Sequence, residues 1–413
     1  MKKQTIATST KYQKPDAYGA LSMPVYHCAS YEFESAKAMS DVFCGRVLDP
    51  EYSRVMNPTV TFFEERVKSL TDAANVFAFN CGMAAISNAL FAVAKAGKNI
   101  VTSNHLFGNT VSFLRNTLGG LGVEAREVDL LDLDAVRNAI DENTCCIFLE
   151  IITNPQMEVA DIRALADIAH SPSLNGRDGV GLPLIADTTL IPFTEFDGKA
   201  LGMDVQVVSS TKYISGGATS LGGLVIDYGT FPIFNRRIRY ELLFNLGAYM
   251  TPHAAYMQTV GLETLDARYR VQAANALELA TRLQKVPQIK RVNYPGLPDN
   301  PFHERAVSQY QPWGWGTPPR GSGEGAPLGA MLTIDLEDKA AAIRFINKLQ
   351  VIHRASNLFD NRSLAIHTAS TIFGPFSGSQ RRAMDVRDTT IRLSIGLEHV
   401  DDIYEDILQA VQE

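Results

Sequence analysis

Val205-Gln-Val-Val-Ser-Ser-Thr-Lys-Tyr-Ile-Ser-Gly-Gly217 is the stretch on which the reading of this chain turns. Val205 to Val208 is a branched apolar run that reads as a buried strand, and it breaks into Ser209-Ser210-Thr211-Lys212 and then glycines. An amine and hydroxyls thus gather at the carboxyl end of a strand, the edge of an open α/β sheet where ligands bind. A lysine there can form a Schiff base with an aldehyde cofactor, and the hydroxyls can hold its phosphate. Taken alone, Lys212 is as simply read as a solvated surface lysine. Its neighbours decide between the two.

Outward from this segment, helical and strand-like stretches alternate. Strand-like runs lie at Asn99–Ser103, Val123–Val128, Cys145–Ile151, Leu182–Ala186, Val205–Val208 and Leu221–Ile226, with helical stretches at about 61–70, 83–96, 109–118, 132–140 and 161–170. The strands are near-continuous in Val, Ile and Leu, the mark of a mostly parallel sheet covered on both faces. Such a series implies a doubly wound α/β domain, taken here as residues 58–260. Residues 1–57 show little periodicity and form an N-terminal arm that needs its own body or another subunit to lie against. The arm ends at Asn57-Pro58, a plausible cap and first turn, with Thr61 and Glu64 offering a capping box as an alternative start. From 261 to 413 a long helical stretch, Leu262 to Val286, leads into shorter strands and helices that read as a smaller α+β domain. Within it, the loop-rich Pro295 to Pro327, with Trp313-Gly-Trp-Gly, reads as a surface loop in preference to an active-site lid.

With 413 residues the chain is long for a single core. A hydrophobic share of 46%, a charged share of 20% and a net charge of −7 describe an ordinary soluble protein without a nucleic-acid footprint or basic tail. The first residues lack the apolar core of a signal peptide, and no apolar run is long enough to span a bilayer. Five cysteines without metal-like spacing suggest a reduced, cytoplasmic setting. His253 and His367 have no metal-like partners, so no metal is expected.

Three polar groups follow three successive strands: Asn154, Asp187 and Lys212. Asn154-Pro155 and Asp187-Thr-Thr are each good turn chemistry, but a turn does not explain their convergence with a lysine. Pyridoxal phosphate needs this set: a carboxylate (Asp187) to keep the ring nitrogen protonated, a donor (Asn154) to the phenolic oxygen, and the amine. The phosphate needs backbone amides at a helix start, and Asn80-Cys-Gly-Met-Ala offers Gly82 and Met83 there, although one glycine at a helix entry is a weak signal. Phe107 could stack on the ring, or simply fill the core. Arg392 interrupts an apolar strand and calls for a carboxylate, structural or from a substrate.

Several motifs then match in order: Tyr52-Ser-Arg-x-x-Asn-Pro-Thr, Cys81-Gly-Met-Ala-Ala-Ile, Asn154-Pro, Asp187-Thr, Ser209-x-Thr-Lys-Tyr, Gly261-Leu-Glu-Thr-Leu and Arg392-Leu-Ser-Ile-Gly-Leu-Glu. From about residue 18 to the end, the chain resembles the Cys/Met-metabolism family of pyridoxal-phosphate enzymes, which includes cystathionine synthases and lyases, methionine γ-lyase and O-acetylhomoserine sulfhydrylase. The resemblance implies a fold type I transferase with a mostly parallel seven-stranded sheet. It also implies that Lys212 is the Schiff-base lysine, with Asp187 and Tyr52 beside it in catalysis. Gly82, Met83, Ser209 and Thr211 would hold the phosphate, Tyr52 and Arg54 would reach that of a neighbouring subunit, and Arg392 with Asn357 would hold the substrate's carboxylate. The family's usual assembly is a homotetramer, a dimer of dimers with shared active sites.

Two departures narrow the substrate. Much of the family stacks a tyrosine where this chain has Phe107, so the phenol that could assist a leaving group is gone. Asn109 stands where methionine γ-lyases tend to carry a cysteine, and Arg239-Tyr-Glu-Leu-Leu-Phe-Asn-Leu-Gly lacks their Lys-Asp pair. The Leu106-Phe-Gly-Asn-Thr form, with Asn357-Leu-Phe-Asp-Asn-Arg-Ser-Leu and Ala369-Ser-Thr-Ile-Phe, looks more like the O-acetylhomoserine sulfhydrylase branch, which adds sulfide or a small thiol to O-acetylhomoserine and releases acetate. The competing readings are γ-elimination of the methionine γ-lyase type, a cystathionine γ-synthase or lyase activity, and, from another class, a cofactor-binding module without catalysis.

Overall fold

The computed structural model describes residues 1–11, 16–171, 181–310 and 325–412. The Trp313 segment, read above as a surface loop, lies outside them. Seven strands make the first sheet: β1 (Asn75–Phe79), β2 (Asn99–Ser103), β3 (Glu124–Val128), β4 (Thr144–Glu150), β5 (Leu184–Asp187), β6 (Val205–Val208) and β7 (Gly223–Asp227). Their order is β1-β7-β6-β5-β4-β2-β3. Strands β2 to β6 pair in parallel, and β7 runs antiparallel to both β6 and β1. The sheet is therefore mostly parallel and seven-stranded, as expected, but it holds a strand that periodicity did not mark. β1 is squeezed between the helices Pro58–Thr71 and Gly82–Val93 by connections too short to leave a turn signal. Both faces of the sheet are covered. Along β4, Ile147 and Leu149 enter one core while Cys146 and Phe148 enter the other.

Asn57 settles the start of the first long helix. Its side-chain oxygen accepts from the Thr59 amide at 3.0 Å and Pro58 occupies the first turn, so the capping-box alternative at Thr61 is not used. The arm before it is less irregular than its sequence suggests, with short helices at Lys3–Ser9 and Ala36–Phe43. Lys3 ties the first of these to the body by donating to the carbonyls of Phe193, Thr194 and Phe196 at 3.1 to 3.3 Å. The long helical stretch read from Leu262 is two helices, Pro252–Glu263 and Leu265–Leu283, and Gly261 lies inside the first.

A second sheet follows, built from β8 (Arg291–Asn293), β9 (Met331–Asp335), β10 (His353–Arg354), β11 (Leu364–His367) and β12 (Thr390–Ser394) in the order β10-β11-β12-β9-β8. Only the β10–β11 pair is parallel. Among the described residues, no helix is long and apolar enough to cross a membrane.

The residue after Lys212 joins the two sheets. Tyr213 is fully buried; its hydroxyl accepts the Ala330 amide at 3.0 Å just before β9, and its ring stacks on Phe359 at 3.8 Å between centroids. Tyr269 adds a parallel bond, its hydroxyl accepting from the Gly329 amide at 3.0 Å. A buried amide left without an acceptor loses its hydration and gains nothing in return. Tyr213→Phe should therefore lower unfolding stability by about 1–3 kcal/mol, read from urea denaturation, with the m-value unchanged.

Candidate active site

The carboxyl ends of β4, β5 and β6 open into one cavity of about 690 Å³, and the second sheet supplies its far wall. Lys212, Asp187, Asn154, Gly82, Met83, Phe107, Ser209, Thr211, Asn357 and Arg392 all line it. The mechanism of convergence is register. In the parallel ladder Glu150 of β4 pairs with Asp187 of β5, which pairs with Val207 of β6, so three strands end level and their following residues meet. Arg392 arrives from β12, the middle of the second sheet, flanked by Ile366 and Thr333.

Charge inside the cavity is withdrawn from water. The Lys212 amine donates to Asn357 Oδ1 at 2.8 Å. Its burial, reinforced by the Arg392 cation and opposed by Asp187, brings its pKa down to about 8. About a tenth of the amine is thus neutral at pH 7, far more than for an ordinary lysine, and the neutral form is the one that attacks a carbonyl. Arg392 is 2% exposed and donates to Asn154 Oδ1 at 3.3 Å and to the carbonyls of Ser356 and Asn357 at 3.0 and 3.4 Å. Burial lowers its pKa too, yet a guanidinium stays protonated at neutral pH. Among the described residues no carboxylate pairs with it. A buried cation with only neutral acceptors is a strong site for an incoming carboxylate.

Asp187 faces the opposite balance. Burial raises its pKa, while the Thr189 hydrogen bonds and Lys212 hold it down. The Thr189 amide donates to Asp187 Oδ1 at 2.9 Å, and the Thr189 hydroxyl accepts from the Ser209 amide at 2.9 Å. Thr189 was legible only as part of a turn; the structure makes it the link between the carboxylate and the hydroxyl segment. Glu150 is a second lining residue that sequence reading missed, because it closes an apolar strand without a motif of its own.

At the other end, the helix Gly82–Val93 starts without a side-chain cap, since Cys81 forms none. Its first amides are free to receive an anion. A Cβ on Gly82 would stand 2.7 Å from Ser209 Cβ and 2.8 Å from its hydroxyl, so only glycine lets this turn close onto Ser209. The Thr211 hydroxyl is committed locally: it donates to the Gly222 carbonyl at 3.2 Å and accepts the Gly222 amide at 2.9 Å. Tyr52 and Arg54 do not enter the cavity; they line a separate surface pocket with Tyr31, Phe33, Met39 and Phe43.

A family model described as Cys/Met metabolism PLP-dependent enzyme matches residues 4–412. The chain belongs to this family. Members of the family are pyridoxal-phosphate enzymes of sulfur amino acid metabolism, and so is this one. It is 33% identical over 398 residues to L-methionine gamma-lyase of Fusobacterium nucleatum subsp. polymorphum, a match spanning 96% of this chain and 94% of the relative. The crystal structure of a proposed O-acetylhomoserine (thiol)-lyase from Campylobacter jejuni superposes over 100% of both chains with a TM-score of 0.91 and 31% identity, and carries a pyridoxyl-lysine phosphate. An O-acetylhomoserine sulfhydrylase from Wolinella succinogenes is 39% identical, with a TM-score of 0.71, over 87% of this chain and 98% of that one. The chemistry common to these relatives is γ-replacement or γ-elimination on an amino-acid substrate.

The cavity fits pyridoxal phosphate on its own terms: an uncapped helix start whose glycine is sterically required, a buried amine of lowered pKa, and a carboxylate behind it. Gly82→Ala should weaken the cofactor complex by pushing Ser209 away from the anion site. The loss of about one charge-assisted hydrogen bond corresponds to roughly ten-fold in affinity or more, read by titrating cofactor-free protein with pyridoxal phosphate. The unfolding midpoint of the cofactor-free protein should fall as well, because the added Cβ must displace Ser209 whether or not the anion is bound.

Proposed function

We propose that this chain catalyses γ-replacement on O-acetylhomoserine with sulfide or a small thiol, giving homocysteine (or methionine) and acetate. The observation that carries the reading is Phe107 on the cavity wall. A phenylalanine can lie against the cofactor ring but cannot hand a proton to a leaving group. Acetate departs without one, whereas a thiolate leaving group benefits from an acid. The sulfhydrylases among the relatives agree with this choice; the methionine γ-lyase relative keeps elimination as the competitor.

Each residue then has a role. Gly82 and Met83 amides with the Ser209 and Thr211 hydroxyls hold the phosphate, which requires the Thr211 proton to leave the Gly222 carbonyl. Lys212 holds the cofactor, Asp187 pairs with its ring nitrogen, and Asn154, whose oxygen is turned to Arg392, presents its amide hydrogens to the ring oxygen. Pyridoxal phosphate supplies an electron sink that makes the protons on the substrate's Cα and Cβ removable. Arg392 receives the α-carboxylate, with the Asn357 side chain beside it. Once the substrate's own amino group has displaced it, Lys212 Nζ is a free amine that takes the Cα proton, and its lowered pKa lets it accept and return that proton near neutrality. The apolar Ile86, Ile152, Leu190, Leu358 and Ile372 keep bulk water from the γ-carbon, favouring a small nucleophile such as sulfide over hydrolysis.

Tyr52 and Arg54 act, in this reading, at the neighbouring subunit's phosphate in a homotetramer built as a dimer of dimers. The arm and the segment beside it support such a contact: Phe43 is 60% exposed, Leu48 63%, Tyr52 45% and Leu246 54%, an apolar surface that water covers poorly. Tyr52 would be the remaining phenol available for proton movement.

The test is a panel of O-acetylhomoserine, O-succinylhomoserine, cystathionine and methionine, each with and without sulfide. Sulfide-dependent homocysteine from O-acetylhomoserine should exceed α-ketobutyrate release from methionine. Methionine cleavage running faster than that replacement would assign the chain to elimination instead.

A further inference from the structure

Glu150 is buried at 5% exposure and ends β4, a strand otherwise built of Thr, Cys, Ile, Phe and Leu. Its two carboxyl oxygens go to two different places. Oε1 accepts the Phe107 amide at 2.6 Å, and Oε2 accepts the Asn154 amide at 3.3 Å. Those amides belong to the loops after β2 and β4, the strands flanking each other in the sheet, and both residues line the cavity. One carboxyl group therefore spans the wall that bears the aromatic ring and the wall that bears the amide bound to Arg392.

A second, outer tie joins the same loops: His105 Nδ1 lies 2.6 Å from Glu158 Oε2, two residues before Phe107 and four after Asn154. It is partly exposed, at 14% and 24% for the two side chains, and water can replace it. Water has no comparable access to Glu150. Its position is costly, because burial and the facing Asp187 carboxyl both push its pKa up, and among the described residues no cation is bonded to it. An apolar residue would end the strand at lower cost if strand ending were the whole role.

We propose that Glu150 is a positioning residue for the reaction: it sets the spacing of Phe107 and Asn154 across the cofactor crevice. The inference rests on the placement of those two residues against the cofactor given above. A carboxyl group is suited to the task because two oxygens at the end of one short side chain can accept two amides from separate loops. Glutamine keeps the length and volume but presents one oxygen and one NH₂ group, so one of the two amides meets a donor and its loop is released.

The experiment uses the holoenzyme and a double-mutant cycle of Glu150→Gln with Phe107→Leu. The readouts are kcat/KM for the γ-reaction and the visible circular dichroism of the bound cofactor, which reports how asymmetrically the ring is held. Glu150→Gln should cut kcat/KM about ten-fold and weaken the visible dichroism, with far-ultraviolet dichroism unchanged. Because it acts through Phe107 among others, the double variant should lose less than the product of the single losses. Full activity and dichroism in Glu150→Gln, losses that multiply, or a Glu150→Gln chain that does not fold would each overturn the proposal. Visible dichroism that moves with Phe107→Leu but not with Glu150→Gln removes the Glu150 inference alone. A signal indifferent to Phe107→Leu removes the placement of that ring as well, and the inference with it.

Discussion

Four ionisable side chains, two cationic and two acidic, are held out of water around one crevice: Lys212, Arg392, Asp187 and Glu150. Each is expensive to bury alone, and the arrangement does not neutralise them in tight pairs. Arg392 has carbonyls and an amide oxygen as neighbours; Lys212 has the Asn357 oxygen; Asp187 has Thr189. Each of these groups keeps capacity for a further partner of opposite charge. In the function proposed above, a substrate carboxylate would satisfy Arg392, a protonated ring nitrogen would satisfy Asp187, and a phosphate dianion would satisfy the uncapped helix at Gly82. Binding energy and electrostatic preparation come from the same residues.

The fold exists to make this arrangement from distant segments. Level strand ends deliver Glu150, Asp187 and the Ser209–Lys212 turn side by side, while the second sheet delivers Arg392 from the middle of a five-stranded array. Tyr213 keeps the two deliveries in step. It follows Lys212 directly and is bonded to the chain entering β9, which in turn pairs with β12 at Arg392. A shift between the sheets would therefore pull on the lysine and the arginine together.

Much of this was readable in the sequence because strand ends and special residues coincide there. Asp187, Asn154 and Lys212 each stand just beyond an apolar run, and parallel pairing brings such positions together without any knowledge of loops. Gly82 was legible as a helix entry, though only the closeness of Ser209 explains why it must be glycine. What escaped was the supporting layer. Thr189 and Glu150 act by accepting backbone amides from other loops, and no periodicity encodes a partner 20 or 43 residues away. β1 escaped because five residues between two helices carry too little pattern, and the arm's short helices because eight residues or fewer hold barely two turns.

In the function proposed above, the Lys212 amine, and no other, holds the cofactor. Borohydride reduction of the holoenzyme followed by peptide mapping tests it directly, since reduction makes the linkage permanent. A single pyridoxyl-phosphate adduct on Lys212 is expected. An adduct on a different lysine, or a protein that binds the cofactor yet retains none after reduction and unfolding, would contradict it.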